Sequence, residues 1–99
     1  MPDIFDIRMK DGSRHFADLP ESADWDALHT DLLRLDGVST TSFITDHVTE
    51  AWIEFSYKDQ QFSVNNQCGE WWFFVTNPDC ADSVLESVLV HCRKLLAPI

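Results

Sequence analysis

The chain has 99 residues, 44% of them hydrophobic, which suits one small globular domain with a single core and is too apolar for a disordered tail. Seventeen acids against seven bases give a net charge of −10. That balance argues against DNA, RNA and anionic membrane surfaces as partners, because each needs a basic footprint.

The opening Met1-Pro2-Asp3-Ile4-Phe5-Asp6 is acidic and has no apolar run, so it reads as neither a signal nor a transit peptide. The longest unbroken apolar stretch, from Trp71 to Val75, is far too short to span a bilayer. Cys68, Cys80 and Cys92 are odd in number and widely spaced. A disulfide framework wants an even set and a zinc site wants close pairs, so reduced thiols in a cytoplasm are expected.

Residues 4–9 alternate, with Phe5, Ile7 and Met9 on one side and Asp6 and Arg8 on the other, which predicts a half-buried strand. Asp11-Gly12 then supplies a hairpin turn into a second strand over residues 14–18, closed by Pro20. Ser22 or Asp24 can cap a helix reaching about residue 36, whose stripe is Trp25, Leu28, Leu32 and Leu35. Gly37 sits where a left-handed C-terminal residue is wanted.

From residue 38 to residue 76 the pattern switches to period two, rich in β-branched and aromatic side chains. Four strands are predicted, over residues 39–45, 51–57, 61–65 and 70–76, joined by links too short for parallel crossovers. Asn77-Pro78 fits the opening of a last helix whose inner face is Ala81, Leu85, Val88, Leu89, Cys92 and Leu96. The expected fold is α+β: a two-layer sandwich in one domain, ordered β-β-α-β-β-β-β-α, with an antiparallel sheet of five to six strands and two helices.

The strand over residues 70–76 departs from simple alternation. Trp71, Phe73 and Val75 make a core set, which leaves Trp72 and Phe74 on the reverse side, where Trp52 shares their parity. Aromatic side chains bury roughly 150–250 Å² each, so three together would approach the largest patch of a typical monomer. Three covers are open: the 46–50 loop or the N-terminal hairpin, a second copy of the chain, or another protein or apolar ligand. Trp52, Trp72 and Phe74 are therefore the candidate binding surface.

Half of the excess negative charge falls between residues 18 and 36, where Asp18, Glu21, Asp24, Asp26, Asp31 and Asp36 face Arg34 alone. A solvated helix face accounts for this. A steering surface for a basic partner, built on Asp18, Glu21, Asp24, Asp26 and Asp31, is the functional alternative.

Signals for chemistry are sparse. His15, His29, His47 and His91 are scattered, and Asp46, His47 and Glu50 form the one tight cluster, best read as a polar turn. Cys80 falls near the start of the last helix, where the dipole favours a thiolate but Asp79 and Asp82 oppose it. No glycine-rich phosphate loop or Gly-x-Ser-x-Gly elbow occurs. No metal site, cofactor or catalytic residue is expected.

The succession Trp52-Ile53-Glu54-Phe55-Ser56-Tyr57, Phe62-Ser63-Val64-Asn65-Asn66, Gly69-Glu70-Trp71-Trp72-Phe73-Phe74-Val75 and Asn77-Pro78-Asp79-Cys80 resembles small uncharacterised bacterial proteins grouped as a domain of unknown function. The likeness covers about the last half of the chain and implies a bacterial cytosolic origin with no activity attached. The sequence thus points to a non-enzymatic protein-binding or self-associating module. An acidic, immunity-like inhibitor of a basic partner is the first alternative, and a small thiol or metal-dependent enzyme the second.

Overall fold

A computed structural model of the chain describes residues 4–46, 50–67 and 69–96. Its elements are β1 (Ile7–Arg8), β2 (Arg14–Pro20), α1 (Trp25–Leu33), β3 (Ser39–Thr45), β4 (Ala51–Tyr57), β5 (Gln60–Asn65), β6 (Glu70–Val75) and α2 (Asp82–Leu96), in the expected order. The strands form one antiparallel sheet, β1-β2-β6-β5-β4-β3, and the two helices make the fold α+β. Strands β3 to β6 are a meander. Helix α1 carries the chain from β2, near one edge, to β3 at the other.

Period-two patterning decides which face meets the helices. Ile53, Phe55 and Tyr57 of β4, Phe62 and Val64 of β5, and Trp71, Phe73 and Val75 of β6 are all buried, as their parity requires. They share one core with Leu28 and Leu32 of α1 and with Leu85, Val88, Leu89, Cys92 and Leu96 of α2. Phe55 and Phe62 stack across β4 and β5 at 5.2 Å, and the indole of Trp71 donates to the Ala23 carbonyl at 3.1 Å. The other face of the sheet, turned away from both helices, is called the outer face below.

Three local features differ from the expectation. The first strand is only two residues long, Ile7–Arg8, and its partner β2 carries a bulge against β6. Phe16 stands as an extra residue between the pairs His15–Phe74 and Ala17–Phe73, so Phe16 and Ala17 are both buried. Helix α1 stops at Leu33, three residues early: Arg34, Leu35 and Val38 close tight turns that lead through Gly37, whose φ is +92°.

Helix α2 begins at Asp82 rather than at Asn77-Pro78. The Asn77 side chain accepts from the Asp79 N–H, and the Cys80 N–H donates to the Asn77 carbonyl, which makes residues 77–80 a β-turn. Asn-Pro serves turns as readily as helix starts, and here the turn prevails.

Candidate functional site on the outer face of the sheet

Strand register sets what the outer face presents. One row across the sheet runs Ile7, His15, Phe74, Ser63, Glu54 and Ser42; the next runs Asp18, Trp72, Asn65, Trp52 and Ile44. Trp72 and Phe74 are neighbours on β6, but Asn65 separates Trp72 from Trp52 by two strand spacings, about 10 Å. The three aromatics expected side by side are therefore two groups. Trp72 and Phe74 form one; Trp52 joins Ile44 in the other.

His15 binds the first group together, which the sequence did not indicate. Its ring stacks on Trp72 at 4.6 Å and lies 5.0 Å from Phe74, while Phe5 meets it edge-on at 5.5 Å. A carbonyl can only accept, so the 3.0 Å contact between His15 Nε2 and the Ala17 oxygen places the proton on Nε2. Burial pushes the imidazole pKa down; the Ala17 bond and Asp18 oppose that to a lesser extent. The indole N–H of Trp72 is shielded from solvent and has no acceptor among the described residues.

The N-terminal hairpin covers this group only in part, and in doing so exposes apolar surface of its own. Phe5, Ile7 and Met9 lie on the outer side, and Ile7 and Met9 are 50% and 37% exposed. Trp52, Trp72 and Phe74 are half-buried, whereas Ile44 is 60% exposed. The other cover considered, the 46–50 loop, includes His47, which lies outside the described residues. Between the hairpin and β4 the outer face dips into a recess of about 330 Å³, lined among others by Met9, Asp11, Glu54, Ser63, Asn65 and Phe74.

The five acids proposed as a steering face do not sit together. Glu21, Asp24 and Asp26 are exposed around the start of α1, where Asp24 caps the helix by accepting from the Ala27 N–H at 2.9 Å and Glu21 accepts from the buried Asn66. Asp31 is half-buried against α2, 3.5 Å from His91. Asp18 lies on the outer face, opposite Trp72.

The candidate chemical groups are engaged elsewhere. The Asp46 carboxylate accepts from the Glu50 N–H at 3.0 Å and closes the β3–β4 hairpin. Cys80 is buried in the turn before α2, not in its first helical turn, and burial pushes its thiol up despite Arg14 nearby. Cys92 is enclosed in the core and shifted further the same way. Both are poor thiolates. Among the described residues no group of three His, Cys, Asp or Glu is placed to hold a metal, and no helix is long and apolar enough to cross a membrane.

Comparison with family models, with curated proteins and with solved structures returned no match. The functional reading accordingly rests on the geometry of the outer face.

Proposed function

We propose that the chain is a non-enzymatic protein-binding module whose contact surface is the outer face around Trp72, Phe74 and His15, extended over Ile7 and Met9. One observation carries this reading: a half-buried aromatic cluster is flanked by large aliphatic side chains left open on the side without helices. Burial of apolar area is the main gain of protein association, and Trp is enriched among the residues that dominate it. Trp52 and Ile44 form a second, smaller contact point on the same face. A cytoplasmic setting fits the free thiols of Cys80 and Cys92.

Ile7→Glu is the informative variant, because Ile7 contributes little to the core. Wild-type and Ile7→Glu proteins are used as baits in native lysate, and each is sedimented alone at micromolar concentration. Association with a partner, or with a second copy, is expected in the wild type and lost in the variant, with the urea midpoint unchanged. Equal association by both proteins would refute the reading.

A further inference from the structure

We infer that the partner of the outer face is a basic polypeptide, and that the recess beside Phe74 takes one of its arginine or lysine side chains. This rests on the outer-face reading and narrows it. The first support is the sign of the charge. Strand parity and register put Asp18, Glu54 and Glu70 on the outer face, while strands β2 to β6 place no Lys or Arg there. Arg14, the basic residue of β2, pairs with Val75 on the core side, where it is buried and bonded to the Phe5 carbonyl and Asp82. The charges that the strands place on this aromatic surface are thus all acidic, with Lys10 of the hairpin and Arg93 of α2, which shares a cleft with Asp18, at its margins, and such a surface complements a basic one.

The recess supplies the second support. Its walls carry two carboxylates, Asp11 from the hairpin and Glu54 from β4, and no base. Asp11 is held in place because the Ser13 N–H and hydroxyl both donate to its Oδ1, at 2.9 and 2.6 Å, leaving Oδ2 for a ligand. Glu54 is exposed and has neither an ion pair nor a hydrogen bond among the described residues. Phe74 offers a ring to a cation, and Ser63 and Asn65 offer polar atoms between the two acids. A volume of about 330 Å³ is at the small end for ligand sites and suits a single long side chain.

The same charges argue against a second copy as occupant. Two outer faces laid together would oppose Asp11, Asp18, Glu54 and Glu70 to their own duplicates in a chain already at −10. The acids at the start of α1 compete less well for a cation. Asp24 is spent on a helix cap and Glu21 on Asn66.

A blocked triarginine peptide is the probe, titrated into isotope-labelled protein and followed by amide and indole chemical shifts, with triglutamate as control. Shifts are expected at Ser13, Ser63, Phe74 and the Trp72 indole, and none with triglutamate. Glu54→Gln and Asp11→Asn should each weaken binding about tenfold, the loss of one charge-assisted contact, while the free variants keep the amide shift pattern of the native fold. Shifts centred on residues 21–26, or affinity indifferent to both substitutions, would overturn the inference. If triarginine does not bind while Ile7→Glu still abolishes association between copies, the occupant is a second copy. The inference then fails and the outer-face reading survives.

Discussion

His15 shows how one side chain can tie the outer face to solution pH. Its ring is enclosed by Phe5, Trp72 and Phe74, and burial lowers its pKa from the ordinary 6.5. The unfolded chain takes up this proton near 6.5, whereas the folded chain does so only at lower pH. In that interval the unfolded state holds more protons, so stability must fall as pH drops through 6.5 and level off below the folded value. Asp6 and Asp11 have lowered pKa values, held down by Arg8 and Ser13 respectively, but their window lies below 3.8 and does not overlap. Urea midpoints at about pH 7.5 and about pH 5.5 test this: the wild type should lose more stability than His15→Phe, which keeps an aromatic in the stack. Parallel profiles would assign the histidine no such role. Nothing in the residues around position 15 announces this packing, since it depends on which strand lies beside β2. That neighbour is β6, more than fifty residues further along the chain.

At the scale of elements, periodic segments were legible and their ends were not. The meander and its core face follow from alternation alone, because a slip of one residue would turn Phe55, Phe62 and Phe73 out into water. The bulge at Phe16 was not legible: it leaves the composition of β2 unchanged and alters only the register. The start of α2 is ambiguous in the sequence because Asn77-Pro78 satisfies two local rules at once. In the structure the Ala81 carbonyl accepts from the Val84 and Leu85 N–H groups, so an exposed alanine occupies the cap position, where its side chain can accept nothing. Ala81→Ser should therefore stabilise the fold by about 1 kcal/mol, measured as a higher urea midpoint at constant slope. An unchanged midpoint would mean that the four N-terminal N–H groups of α2 are already satisfied by solvent.

Across the whole molecule the surplus of ten negative charges is confined to a body with a radius of gyration of 12.3 Å, and the close ion contacts do little to offset it. Arg8 is shared by Asp6 and Asp79, and Arg14 by Asp6 and Asp82, so single bases face pairs of acids. Most of these carboxylates are well exposed, where a pair is worth little. Folding draws the remaining acids nearer to one another than they are in the expanded chain, which makes net repulsion a cost of the compact state. Salt should relieve that cost, since the Debye length shortens to about 8 Å at 0.15 M. Raising NaCl from about 10 mM to about 150 mM is expected to lift the melting temperature by about 2–5 °C. The same change should weaken triarginine binding, because screening acts on attraction across the outer face as it does on repulsion within the chain. The two responses have opposite signs and one cause. A melting temperature that falls with salt would show that the ion pairs of Arg8 and Arg14 outweigh the self-repulsion, and binding that ignores salt would leave the acids of the outer face without a part in recognition.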